Sequence, residues 1–195
     1  MKLIIIDNYD SFVYNIAQLF GKLNIETEVY RNDKISLRQI EKINPDGIVI
    51  SPGPGHPADQ KYFGECNNII KTFGKDINIL GICLGHQGIV SVYGGRVINA
   101  KKTRHGKTSK IIHQNEDILE NIENPFNATR YHSLIADIES IPNCLKIIAR
   151  SADDNEIMAI KHKKFPIRGV QFHPESILTK EGLKLLHNFK SMIKK

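Results

Sequence analysis

Ile77-Asn78-Ile79-Leu80-Gly81-Ile82-Cys83-Leu84-Gly85-His86-Gln87 decides the fold. Ile77–Ile82 is an apolar run of buried-strand length, and a helical pattern over Leu84–Tyr93 begins directly after Cys83. A strand that runs straight into a helix is one step of the alternation that builds a parallel sheet covered on both faces. The preceding sequence repeats that step. Lys2–Ile6 is a strand stopping at Asp7, and Ser11–Leu23 sets Phe12, Ile16, Leu19, Phe20 and Leu23 at helical spacing. Glu26–Tyr30 reads as a strand and Ser36–Ile43 as a short helix with a hydroxyl N-cap. Gly47–Ile50 is a buried strand halted by Ser51-Pro52-Gly53-Pro54-Gly55, and Glu65–Phe73 is helical.

After Gly94-Gly95 strands and loops take over: Arg96–Lys101, Lys110–His113, Ala128–Tyr131, Leu145–Arg150, Glu156–His162 and Ile167–Phe172. A closing helix, Glu181–Ile193, turns Leu183, Leu186, Phe189 and Ile193 inward. Without repeats or a long linker, residues 1–195 read as one α/β domain: an open, mostly parallel sheet with helices on both faces.

A content of 41% hydrophobic residues is enough for a substantial core. The N-terminus turns polar at Asp7, too early for a signal peptide, and no apolar stretch reaches membrane-spanning length. Three dispersed cysteines, Cys66, Cys83 and Cys144, form no CxxC pair, which points away from zinc and disulfides and towards a reducing compartment. The formal charge of +6 comes from scattered lysines. Its two clusters, 101–104 and 161–164, lack interleaved aromatics, so solvated surface is expected rather than a nucleic-acid site.

In open parallel sheets ligands bind at the carboxyl ends of the strands. Asp7–Ser11, Ser51–Pro57, Cys83–Gln87 and His173–Ser176 all fall on that edge. Gly81-Ile82-Cys83-Leu84-Gly85 has the form of a nucleophile elbow, with glycines permitting close packing and a helix N-terminus favouring a thiolate. Gly169-Val170-Gln171-Phe172-His173-Pro174-Glu175-Ser176 ends a strand with a histidine and a carboxylate two residues apart. Cys83, His173 and Glu175 supply nucleophile, base and orienter. The N–H groups of Leu84 and Gly55 are the candidates for holding an oxyanion. Cys66 and Cys144 read as inert thiols, His113 and His162 as residues in polar surroundings, and His132 as structural. His105 and Lys107 read equally as partner contacts or solvated loop.

Gly81–Gln87, Gly169–Ser176 and Ser51–Gly55 resemble the signature segments of class I, or triad, glutamine amidotransferases, whose sheet is flavodoxin-like. Within that family the chain is similar to the small subunits of anthranilate synthase and of 4-aminodeoxychorismate synthase. Asp7–Phe12, His105–Ser109, Arg130–Leu134 and Ile157–Ile160 carry that similarity, in order and across the whole length. The resemblance implies that Cys83 forms a γ-glutamyl thioester with L-glutamine, that His173 moves the protons, and that Glu175 holds His173. It also implies that Gly53, Pro54, Gly55, Gln87, Ser133 and Leu134 bind glutamine. The ammonia would pass to a large chorismate-binding synthase subunit, in a heterodimer or heterotetramer. No cofactor is expected in this chain, whereas the partner is expected to need Mg2+. Bacterial cytoplasm and the stroma of a plastid that encodes the protein fit equally. A flavodoxin-like nucleotide binder and a cysteine hydrolase that keeps its ammonia are the competing readings. The first is weakened by a glycine-free Asp7–Ser11 loop whose carboxylates oppose a phosphate.

Overall fold

The computed structural model describes residues 1–193. In chain order the elements are β1 (Lys2–Asp7), α1 (Val13–Lys22), β2 (Glu26–Arg31), α2 (Leu37–Ile43), β3 (Gly47–Ile50), α3 (Gln60–Phe63), α4 (Cys66–Phe73), β4 (Asn78–Ile82) and α5 (Leu84–Val92). They continue with β5 (Val97–Asn99), β6 (Lys107–His113), β7 (Phe126–Arg130), β8 (Leu134–Ala136), β9 (Leu145–Ser151), β10 (Ile157–His162), β11 (Ile167–Val170) and α6 (Gly182–Met192).

Nine strands make one sheet in the order β2-β1-β3-β4-β11-β10-β9-β6-β7, and β5 pairs with β8 in a separate ribbon. The first five are mutually parallel. From β11 onward each pairing is antiparallel, so only β10 and β6 run against the rest. Successive side chains of a strand point to opposite faces. Leu3 and Ile5 of β1 therefore join a core with Ile16 and Phe20 of α1 and Leu185 and Phe189 of α6. Ile4 and Ile6 join a second core with Ile40 of α2, Ile69 and Ile70 of α4, and Ile89 of α5. That double burial is why these strands are unbroken apolar runs.

Ser36 caps α2 in a reciprocal capping box with Gln39, as its hydroxyl predicts. Other expectations need correction. Leu183 is exposed, and Leu185 takes the inward position beside Leu186, Phe189 and Ile193. Gly182 lies so close to the Pro174 carbonyl that a Cβ there would sit 1.9 Å from its oxygen, and this contact fixes the phase of α6. His113 and His162 are both buried, each with an aromatic ring against it as well as polar partners. His162 stacks on Phe165, with ring centroids 4.4 Å apart, and His113 packs edge-on against Phe126. Their Nδ1 atoms accept backbone N–H groups of adjoining turns.

Candidate active site

Because β1, β3, β4 and β11 are parallel, their carboxyl ends deliver Asp7–Ser11, Ser51–Pro57, Cys83 and His173 to one edge. Strands β4 and β11 are neighbours, with Ile82 opposite Val170, and the Cys83 N–H donates to the Val170 carbonyl at 2.8 Å. Two residues far apart in sequence thus become adjacent through the spacing of one strand pair.

Cys83 stands between β4 and α5 with φ 51° and ψ −101°. Holding a non-glycine residue there costs roughly 1–3 kcal/mol and requires support from its surroundings. The flanking glycines supply it. A Cβ on Gly81 would lie 2.5 Å from the Gly85 backbone, and one on Gly85 would lie 2.3 Å from the Ile50 carbonyl oxygen. The helix therefore presses directly on the sheet, and the thiol projects above it. Leu84 opens α5, where backbone N–H groups have no partner inside the helix.

His173 is buried and its Nδ1 lies 2.6 Å from Glu175 Oε1. Burial opposes a charge on the ring, but the Cys83 sulfur and the Glu175 carboxylate outweigh it and raise the His173 pKa well above that of an ordinary histidine. The backbone N–H of His173 donates to the Thr129 carbonyl at 3.0 Å. The antiparallel half therefore curls back until β7 meets the loop after β11. Hydroxyls of Ser176, Thr179 and Thr129 tie that junction together. Tyr131 packs edge-on against His173, with ring centroids 5.0 Å apart, and also touches Phe12 and His105.

Cys83 and His173 open into a cleft of about 380 Å³ with Asp10, Phe12, Gly53, Pro54 and Tyr131 among its walls. Gly53 lies against Asn8, where a Cβ would come 2.4 Å from the carbonyl oxygen. Asn8 donates its backbone N–H to the Ser51 hydroxyl and its side-chain amide to the Ser51 carbonyl, fixing the Ser51–Gly55 loop to β1. Gly55 has φ +81° and packs under Tyr62, outside the cleft wall. Gln87, Ser133 and Leu134 also lie outside that wall. Gln87 Nε2 donates to the Leu134 carbonyl at 2.8 Å and to Gln171 Oε1 at 3.0 Å, leaving its own Oε1 to offer a ligand. Asp10 carries a pKa pushed up to about 6, chiefly by burial and then by the Glu175 charge.

Sequence reasoning missed Gln171, Tyr131 and Asp10, although each lies inside a segment that it singled out. Fully buried Gln171 donates Nε2 to the Cys83 sulfur at 3.5 Å. Its signal was a polar side chain in an apolar strand end. His132 is structural as expected: it is buried and accepts from Arg130 Nε at 3.0 Å. Burial and then the Arg130 charge push its pKa down to about 3. Cys66 is buried against Asn8, and burial pushes its thiol pKa up, away from reactivity. Cys144 is half-buried against the second core. His105 lines the cleft.

The family model for glutamine amidotransferase class-I matches residues 4–192. The chain is 52% identical over 188 residues to anthranilate synthase component 2 of Cyanophora paradoxa, covering 96% of this chain and 97% of the relative. It is 49% identical over 187 residues to aminodeoxychorismate/anthranilate synthase component 2 of Bacillus subtilis, covering 96% and 94%. It is also 50% identical over 190 residues to the bifunctional protein TrpGD of Thermotoga maritima; this covers 96% of this chain but only 32% of that longer protein. Among solved structures, a glutamine amidotransferase from Thermotoga maritima shares the fold at a TM-score of 0.79, with 16% identity, over 100% of this chain and 99% of its own. With the family match running almost end to end over a sheet of the same fold, the chain belongs to the class-I glutamine amidotransferases.

Proposed function

We propose that this chain is the glutaminase subunit of an anthranilate synthase, hydrolysing L-glutamine at Cys83 and passing ammonia to a chorismate-using partner. One observation carries the chemistry: a thiol on a strained strand–helix junction opens into the same cleft as a buried histidine bonded to a buried carboxylate. The partner is inferred from relatives named component 2 at about half identity.

In the proposed cycle the Cys83 thiolate attacks the side-chain amide carbon of glutamine, forming a C–S bond and an oxyanion held by the N–H groups of Leu84 and Gly55. His173, held charged by Glu175, gives its proton to the amide nitrogen; the C–N bond breaks and ammonia leaves a thioester. Water then attacks the thioester while His173 takes its proton, and glutamate departs as the thiolate re-forms. Gly53 and Pro54 would wall the substrate, with Gly55, Gln87, Ser133 and Leu134, just behind that wall, completing the glutamine site.

Apolar side chains flank the cleft mouth. Tyr9 and Phe12 are about half exposed, and Ile177, two residues past Glu175, is 93% exposed. Such a rim fits a partner that covers the mouth and keeps ammonia from water. Among the described residues no helix is long and apolar enough to cross a membrane. Cytoplasm, or plastid stroma for a plastid-encoded chain, is the proposed location.

The test is reconstitution with the large subunit. Cys83→Ser should abolish anthranilate formation from chorismate and glutamine while leaving formation from ammonium intact. Loss of both would make Cys83 a structural residue. The double name of the Bacillus relative favours one second reading, service to an aminodeoxychorismate synthase. 4-Amino-4-deoxychorismate as the product would establish it.

A further inference from the structure

Gln171 is a polar side chain with no exposed surface, placed between the thiol and the strand proposed to receive glutamine. Its Nε2 donates to Cys83 Sγ at 3.5 Å, and its Oε1 accepts from Gln87 Nε2 at 3.0 Å. The same Gln87 nitrogen donates to the Leu134 carbonyl at 2.8 Å. An unbroken line of amide groups therefore runs from β8 to the sulfur. Burying a primary amide is expensive unless its groups are bonded, and both heteroatoms of Gln171 are bonded here.

We propose that Gln171 is a positioning residue for the glutaminase reaction: its N–H···S bond steadies the Cys83 thiolate, and its bond to Gln87 ties that thiolate to the glutamine-receiving strand. The role rests on the proposed glutaminase chemistry. A donor aimed at sulfur is worth more to an anion than to a neutral thiol. As Gln171 is fixed by Gln87, the donor is already in place when the negative charge forms. A ligand that draws on Gln87 Oε1 or moves Leu134 would pull on the same line, so substrate binding and thiol reactivity share one set of hydrogen bonds.

The experiment follows the pH dependence of Cys83 alkylation by iodoacetamide, with Cys66 and Cys144 resolved by mass spectrometry, in the wild type and in Gln171→Met. The account expects the alkylation midpoint to rise by about one pH unit in the variant, the effect of one hydrogen bond to a charged acceptor. With the large subunit present, kcat for glutamine should fall about tenfold and KM should change less than about twofold. Gln171→Glu, which sets a second anion beside the sulfur, should raise the midpoint further. In the wild type alone, the side-chain amide NMR signals of Gln171 should move with pH at the midpoint read from alkylation. An unmoved Gln171 signal, an unchanged midpoint in the variant, or a rise in KM at constant kcat would each overturn the assignment. Absence of glutaminase activity in the reconstituted wild type would instead defeat the proposed function, and the alkylation and NMR results would still judge the N–H···S bond.

Discussion

Strands β1, β3 and β4 are buried on both faces by isoleucine, leucine and valine, whereas the β6–β7 side of the sheet holds a fully buried arginine among acidic side chains. Arg130 bonds Ser109 at 2.9 Å, His132 at 3.0 Å, Asp153 at 3.3 Å and Asp154 at 3.0 Å, and also pairs with Glu156. Arg104 joins the same carboxylates at 2.6 and 2.7 Å. The parallel half fixes the thiol by close packing, glycine against backbone. The antiparallel half fixes the backing of the histidine by directional ion pairs, through Tyr131, which lies between Arg130 and His132. Packing is tolerant of direction and intolerant of volume; a charged cluster is the reverse.

Arg130→Met should show the largest effect. It removes the cation and leaves the buried Glu156 carboxylate without its partner, beside the more exposed Asp153 and Asp154, and it is expected to destabilise the protein by about 3–5 kcal/mol in urea unfolding. A loss under 1 kcal/mol would show that the cluster is not what holds this half. His173→Gln should lower glutamine turnover by about 10²–10⁴-fold, measured with the partner, with little change in unfolding midpoint. A variant that unfolds instead would make His173 part of the scaffold. On the parallel side, Gly85→Ala drives a methyl group into the Ile50 carbonyl and should cost about 1–3 kcal/mol.

The halves should also part with acid. Burial alone would raise the Asp154 pKa, but bonds from Ser151, Arg130 and Arg104 hold it well below the usual carboxylate range. A depressed folded pKa contributes stability that is complete above the unfolded value, near 4, and is lost as pH falls through the folded one. Urea midpoints should therefore decline below about pH 4, and the decline should be shallower in Arg130→Met. The smallest change belongs to the parallel half: Ser36→Ala removes the α2 cap and should cost about 1 kcal/mol.

The same contrast decides what could be read from the chain. Periodicity and punctuation locate the elements from β1 to α5 other than α3: β1, β3 and β4 are runs buried on two sides, β2 is a half-buried edge strand, and the turns carry glycine, proline or a cap. Helix α3, Gln60–Phe63, escaped because a single turn has no period, and its stop, Gly64 at φ +47°, offers too little pattern. Strand β8 escaped for the same reason, since three residues pairing with β5 leave no alternation to see. The curl that brings Thr129 to His173 is a property of four successive pairings and is written in none of them. The outward turn of Leu183 depends on a contact between Gly182 and Pro174, which no helical pattern contains.

In the site, Cys83, His173 and Glu175 were legible because strand ends and breakers announce them. Gln171, Tyr131 and Asp10 were hidden because their roles come from neighbours supplied by other strands. Gln87 was read as a ligand group, yet both of its N–H donors are engaged within the protein. Only three-dimensional pairing separates the part of an amide that faces substrate from the part that holds the wall.

The most direct measurement is covalent labelling with a diazoketone analogue of glutamine, followed by peptide mass spectrometry. The account predicts one adduct, on Cys83, suppressed by excess glutamine and lost in His173→Gln. Label on Cys66 or Cys144, or label on Cys83 that is indifferent to His173, would contradict it.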